Sequence, residues 1–345
     1  MQYTHLGRTG LRVSRLCLGA ACYGYVSGNL LGNLGMSEDT SLQLMDLALE
    51  HGINFFDTAD VYGWDQGVGL SEGVIGRWFA LGGGRREKVV LATKVYHPMS
   101  PDWPNETWPN QKGLSALHIR RACEESLRRL GTDYIDLFQM HYSDGATSWD
   151  EIWQAMEQLV REGKVLYVGS SNFAGWHIAQ GNEVARSRHF LGLVVEQCGY
   201  SLLSRGAEME VLPACEAYRM GAVAYEPLAE GLLAGAFQKA QEGYRSTPRV
   251  QQRIERLRST LEAYEQLCRE VGEPPAAVAL AWLLSRPAVT APVVGWRRPE
   301  HLESAVRAVD LSLAPELLAQ LDALFPGPEP AGEYWGNDRW CRSSG

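Results

Sequence analysis

Apolar residues in this chain recur in two rhythms. Short, nearly unbroken apolar runs at 15–19, 54–57, 89–94, 135–141, 165–170, 193–197, 222–226 and 289–295 read as strands. Unbroken rather than alternating apolarity marks strands covered on both faces, as in a parallel sheet. Between them lie longer stretches with a three-to-four-residue spacing, which predict helices at 71–81, 115–130, 149–162, 174–188, 207–220, 253–271, 275–286 and 299–309. Another helix begins after Ser37, a good N-cap residue, and sets Leu42, Met45 and Leu49 along one face.

Eight strands alternating with helices imply parallel β-α units. A doubly wound open sheet could carry the same alternation, but no G-x-G-x-x-G follows the first strand, and "GVGLSEGVIG" follows the second with a different glycine spacing. A closed (β/α)8 TIM barrel is the better reading, and residues 1–345 are expected to form a single domain. Ahead of the barrel, residues 1–14 hold "YTHLGRTGLRVS", where Gly-Arg-Thr-Gly between two short runs predicts a β-hairpin. Two β-α loops are long: "YHPMSPDWPNETWPNQKG" after the third strand and "AGAFQKAQEGYRSTPRVQQR" after the seventh. Segments of this length are usually functional or disordered. The tail at 326–345 is rich in Pro, Gly and aromatic residues and is expected to lie near the barrel mouth.

Composition narrows the partners. The net charge of −9 argues against nucleic acid or an anionic membrane as the main partner. No apolar run approaches the length of a membrane span, and the first residues lack the apolar core of a signal peptide. Seven cysteines form an odd set without a C-x-x-C pair, so they read as reduced thiols of a cytoplasmic protein, with no metal site. Assembly with copies of itself stays open.

In a barrel of this kind, chemistry collects at the C-terminal ends of the strands. Those ends carry Asp57, Lys94 and His141 on three consecutive strands, and Tyr62 lies five residues past Asp57. A phenol is a weak acid at neutral pH, and a nearby ammonium is expected to lower its pKa. A carboxylate would anchor that ammonium, and a histidine could hydrogen-bond a carbonyl oxygen. The set suits general acid catalysis at a carbonyl that gains negative charge. A different chemistry, with Lys94 as the Schiff-base lysine of a barrel aldolase, would need an uncharged amine. At the end of the eighth strand, Pro299 suits the first position of a helix, so Trp296, Arg297 and Arg298 precede a helix start that favours an anion.

"NFFDTADVYG", "LATKV", "DLFQMH", "VGSSNF" and "PVVGWRRPEHLESA", in this order, closely resemble the aldo-keto reductases. The resemblance implies a catalytic tetrad of Asp57, Tyr62, Lys94 and His141 with Tyr62 as proton donor, and leaves Asp60 outside it. It also implies a nicotinamide cofactor. Ser171, Asn172 and Gln197 would hold the carboxamide and Tyr225 would stack on the ring. Pro227, Leu228, Gly231 and Leu233 of "PLAEGLLAG" would take the pyrophosphate. Gly295, Trp296, Arg297, Arg298 and His301 would bind the adenosine end, the arginines clamping a 2′-phosphate, which favours NADP(H) over NAD(H). This chain departs from the family at Glu226, where a small hydroxyl residue is common, at Ser304 and Ala305 in the adenine contact, and at Leu70 and Gly73.

The implied activity is reduction of a small-molecule carbonyl by NADPH. Tyr23, Tyr25, Trp64, Trp103 and Trp108, with Trp335 of the tail, would wall the pocket with aromatic rings suited to a flat or sugar-like substrate. The resemblance extends to bacterial members that act on nucleotide-linked keto-sugars or enoyl sugars in natural-product pathways. Alternatives are C=C reduction or elimination on a sugar nucleotide, and a cofactor-sensing role like that of potassium-channel β subunits.

Overall fold

The structure is a computed structural model that describes residues 1–24, 36–63, 68–98, 108–237 and 247–328. The expected hairpin is present: β1 (Tyr3–His5) pairs antiparallel with β2 (Arg12–Ser14). Eight further strands follow: β3 (Cys17–Gly19), β4 (Phe55–Asp57), β5 (Val90–Val95), β6 (Ile135–Met140), β7 (Val165–Ser171), β8 (Leu193–Gly199), β9 (Gly221–Tyr225) and β10 (Val289–Val294). They close into a parallel barrel in chain order, with β10 returning to β3. The protein is therefore a (β/α)8 TIM barrel, as the alternation predicts.

Helices surround the barrel: α1 (Glu38–Glu50), α2 (Leu70–Ala80), the short α3 (Arg85–Lys88), α4 (Ala116–Leu130), α5 (Trp149–Arg161), α6 (Gly175–Ser187), α7 (Val211–Ala217), α8 (Pro248–Arg256), α9 (Arg258–Val271), α10 (Pro275–Leu284), α11 (Pro299–Asp310) and α12 (Pro315–Leu324). Ser37 caps α1 as expected, accepting from the Thr40 N–H. The buried face of α1, however, is Ser41, Leu44, Met45 and Ala48, with Leu42 and Leu49 at its margins. The helix expected at 207–220 is broken into a 3-10 turn at Gly206–Glu208 and α7. Pro213 lacks an N–H and fits only a first helical turn, so the helix restarts at Val211. A second break at Leu257 separates α8 from α9. The sequence reading did not contain α12, whose Leu317 and Leu321 are buried.

Two apolar layers explain the strand pattern. Phe55, Val90, Ala92, Leu137, Val195, Val223 and Ala291 pack inside the barrel, with Leu6 and Val13 of the hairpin closing its lower end. Leu91, Phe56 and Phe138 instead join the shell between barrel and helices. Gly7 makes the hairpin plug feasible. Its φ is +56°, and a Cβ there would lie 2.5 Å from the Val194 carbonyl oxygen. Gly76 does the same between α2 and α4, where a Cβ would lie 2.2 Å from the Arg129 carbonyl oxygen.

Candidate active site

Side chains alternate faces along a strand. Phe55 faces inward, so Asp57 does too; Val90 and Ala92 set the phase for Lys94, and Leu137 sets it for Gln139. The apolar runs therefore end in polar groups that point into the top of the barrel. The structure brings the expected residues together there. Lys94 is 0% exposed. Its Nζ donates to Asp57 Oδ1 at 2.8 Å and Oδ2 at 2.6 Å, to the Thr58 carbonyl at 2.9 Å and to the Tyr62 hydroxyl at 3.2 Å. Burial works against the lysine charge, but Asp57 and Tyr62 more than offset it and hold its pKa above the ordinary value. Asp57 Oδ1 also accepts from Gln197 Nε2 at 2.8 Å and Gln139 Nε2 at 3.3 Å.

Tyr62 differs from expectation in one respect. Burial raises its phenol above the ordinary range; Lys94 pulls it back down, yet the net shift is upward. The lysine thus offsets desolvation without overcoming it, and the phenol keeps its proton. The loop carrying Tyr62 is tied to the start of α2. The Ser71 N–H donates to the Tyr62 carbonyl at 3.1 Å, while Ser71 Oγ donates to the Ala20 carbonyl at 2.7 Å and lies 2.9 Å from Thr58 Oγ1. Behind this strap, the buried Glu72 accepts from Thr93 Oγ1 at 2.6 Å and from Arg129 Nε at 2.7 Å. Asp60 is also buried, and among the described residues no side chain hydrogen-bonds its carboxylate. Burial, then the nearby Glu72, pushes its pKa well above the ordinary carboxyl value.

His141 follows β6, and its ring stands edge-on to Tyr62 with centroids 5.9 Å apart. Burial, Lys94 and His97 press its pKa well below the ordinary value, so the ring is neutral. Its backbone carbonyl accepts from Asn172 Nδ2 at 3.0 Å. Asn172 has a left-handed φ of 61°; its Oδ1 accepts from the Tyr225 hydroxyl at 2.8 Å and its Nδ2 reaches Ser171 Oγ at 3.1 Å. Buried Glu196 pins this turn from behind, accepting from the Phe173 N–H at 2.9 Å and sitting 2.5 Å from Ser170 Oγ. Gln197, expected at the carboxamide, directs its Nε2 to Asp57.

After β9 the chain turns through left-handed residues Glu226, Ala229, Glu230 and Gly231. Glu226 is exposed, Pro227 buried, Leu228 half-buried and Leu233 fully buried. Two cations that the sequence reading missed lie here: Arg249 and Arg253 of α8 both pair with Glu230. After β10, Gly295 is exposed and Trp296 is fully buried, with its indole N–H lacking a partner. Arg297 is half-buried, Arg298 is the N-cap of α11, Pro299 occupies its first turn, and His301 is half-buried just beyond.

On the substrate side, Tyr23 is fully buried in the core shell, because its N–H turns back onto the Ala20 carbonyl at 3.0 Å. Trp108 is 78% exposed. Tyr25, Trp64, Trp103, Trp335 and Cys341 lie outside the described residues, as does the tail from 329 onward. Rings that the sequence reading missed stand beside His141: Tyr142 stacks on it at 5.2 Å, and His97 meets it edge-on at 5.1 Å. Histidines two residues past the end of β5 and one past the end of β6, on neighbouring strands, were the available signal. The six described cysteines are free thiols. Among the described residues, no group of His, Cys, Asp and Glu could hold a metal ion, and no helix is long and apolar enough to cross a membrane.

Comparison with known proteins agrees with this geometry. The chain is 53% identical over 328 residues to the uncharacterized oxidoreductase YrpG of Bacillus subtilis, covering 95% of this chain and 97% of that one. It is 33% identical over 317 residues to norsolorinic acid reductase stcV of Emericella nidulans, covering 92% and 79%. It is 31% identical over 339 residues to a putative voltage-gated potassium channel subunit beta of Schizosaccharomyces pombe, covering 94% and 93%. The model of the aldo/keto reductase family matches residues 15–325, and with the barrel and the polar strand ends it places the chain in that family of oxidoreductases.

Proposed function

We propose that the protein is an NADP(H)-dependent carbonyl reductase in which Tyr62 is the proton donor. One observation carries this reading: a single buried ammonium, Lys94 Nζ, is hydrogen-bonded to both a carboxylate and a phenol at the barrel mouth. The family generally uses NAD(P)H, and the residues present fit such a group. Asn172 offers an amide beside Ser171 and the Tyr225 ring. Arg297 and Arg298 precede the N-terminus of α11, which favours a phosphate and supports NADP(H). Glu226 is exposed, so it can turn its charge to solvent.

When bound, the cofactor supplies a hydride to the carbonyl carbon. Tyr62 gives its proton to the carbonyl oxygen, completing an alcohol, and regains one from solvent. Lys94 already donates to the Tyr62 oxygen, so that bond does not consume the phenolic proton and strengthens as the phenolate forms. Asp57 keeps Lys94 charged, which disfavours the Schiff-base alternative. Neutral His141 orients the carbonyl oxygen by donating a hydrogen bond. Flat rings at His97, His141 and Tyr142 support a ring-bearing or sugar-like carbonyl substrate.

The test is a panel of aromatic, quinone and sugar carbonyls incubated with protein and NADPH. The absorbance of the reduced cofactor should fall, and mass spectrometry should find the alcohol. The likeness to a potassium-channel subunit favours a second reading, cofactor sensing, which predicts tight NADPH binding and no oxidation across the panel. A saturated C–C product would support enoyl reduction. Borohydride trapping of substrate on Lys94 would support an aldolase.

A further inference from the structure

A lysine ammonium carries three N–H donors, yet four acceptors lie within hydrogen-bond distance of Lys94 Nζ: both oxygens of Asp57, the Thr58 carbonyl and the Tyr62 hydroxyl. The Tyr62 contact is the longest of the four, at 3.2 Å. What Asp57 draws from the ammonium is therefore withheld from the phenol. Asp57 Oδ1 has two further donors: Gln197 Nε2 reaches it from β8 at 2.8 Å, and Gln139 Nε2 from β6 at 3.3 Å. Gln139 lies beside Lys94 in the register of β5 with β6, and beside Gly169 in that of β6 with β7. A Cβ on Gly169 would lie 3.2 Å from Gln139 Cγ, so the glycine leaves room for the amide.

Gln139 is 1% exposed, and one layer below it the lumen is filled by Ala92, Leu137 and Val195. Only the NH2 end of an amide can face a carboxylate oxygen, so the Gln139 carbonyl is turned away from Asp57. That oxygen is buried, and among the described residues nothing donates to it. A buried acceptor without a protein partner works against the fold, and a methionine or leucine would not carry one. The carboxylate, not the core, is the reason for a glutamine here. We infer that Gln139 is a positioning residue: by giving Asp57 Oδ1 a neutral donor, it leaves Lys94 a proton to aim at Tyr62. This rests on the carbonyl-reductase reading, in which Tyr62 is the acid. Gln139 acts through Asp57 and Lys94 and meets neither substrate nor cofactor in that scheme. Without it, Oδ1 draws more of the ammonium, and the bond that steadies the developing phenolate weakens.

The experiment follows bound NADPH through a single turnover with an excess of the best carbonyl from the panel. In Gln139→Met, which nearly keeps the volume and loses the donor, the rate of absorbance loss should fall about five- to tenfold, the scale of one long hydrogen bond to a charged group. Slowing in deuterated water should be larger than for the unmodified protein, because proton transfer from Tyr62 then limits more of the rate. NADPH affinity by fluorescence should not change, and the urea midpoint should be no lower, since a buried acceptor without a partner has gone. Gln139→Leu should behave alike and guards against a poor fit of methionine. An unchanged rate in a folded variant, or losses of stability and NADPH affinity alongside the rate, would overturn the inference. Failure of both variants to fold would overturn it too, because the amide would then serve the core. Failure of the underlying reading looks different: no carbonyl would oxidise NADPH with the unmodified protein, which would overturn both.

Discussion

Lys94 Nζ donates to the Tyr62 hydroxyl across 3.2 Å while lying wholly inside the barrel top. The interaction costs the phenol no proton and places a cation where a phenolate would form. Tyr62→Phe removes the donor and leaves the groups proposed for the cofactor untouched. Turnover of a good carbonyl substrate should fall by about 10² to 10⁴-fold, while NADPH still quenches the intrinsic fluorescence with near-normal affinity. Retained turnover would exclude Tyr62 as the acid.

Asp57→Asn leaves the buried ammonium without its counter-charge. Breaking a buried pair from one side typically costs about 3–5 kcal/mol. The midpoint of urea unfolding should drop accordingly, and kcat should fall with it because Lys94 loses the group that keeps it protonated.

Arg129→Met uncovers the buried Glu72 in the same way, behind the strap that holds Tyr62. A stability loss of about 3 kcal/mol is expected, together with a lower kcat at nearly unchanged KM. Arg129 meets neither substrate nor cofactor in the proposed scheme, so an effect on KM alone would contradict its role behind the loop.

Glu196 gives a pH signature. Burial pushes its pKa up from 4.5 to about 8. The folded state then holds a proton that the unfolded state has released between those values, so stability falls as pH rises through this window and levels off above it. The contribution reaches at most about 1.4 kcal/mol per pH unit. Neutral His97 and His141 act in the opposite sense below pH 6.5, where the unfolded chain binds the extra protons. The difference between the protein and Glu196→Gln isolates the glutamate: the variant should gain stability relative to the parent as pH moves from about 5 to 8.

Arg297→Ala combined with Arg298→Ala should weaken NADPH binding about tenfold, the scale of one charged hydrogen bond at a partly exposed site. NADH binding should change little, since it lacks the 2′-phosphate. Equal losses for both cofactors, measured by fluorescence titration, would remove the 2′-phosphate assignment.

The barrel and the convergence of Asp57, Lys94, Tyr62 and His141 were legible because both follow from local rules. Unbroken apolar runs marked two-sided burial, and a period of two carried the inward phase from Phe55 to Asp57 and from Ala92 to Lys94. What was illegible depends on neighbours remote in sequence. The net rise of the Tyr62 pKa depends on how deeply the fold buries the phenol, which no local pattern reports. Tyr23 reads as a wall residue until its backbone is seen to fold onto Ala20. The ring contact of His97 with His141 appears only once β5 and β6 lie side by side. The pairing of Glu230 with Arg249 and Arg253 joins a tight turn to α8, which begins inside the segment read as the second long loop.

The hairpin has a consequence for traffic. Leu6 and Val13 pack onto the apolar side chains filling the lumen, so among the described residues the lower end of the barrel is closed. Whatever docks deeper must arrive first and depart last. Substrate resting above the nicotinamide would trap it, so steady-state kinetics should be compulsory-order, with the dinucleotide as leading reactant and trailing product.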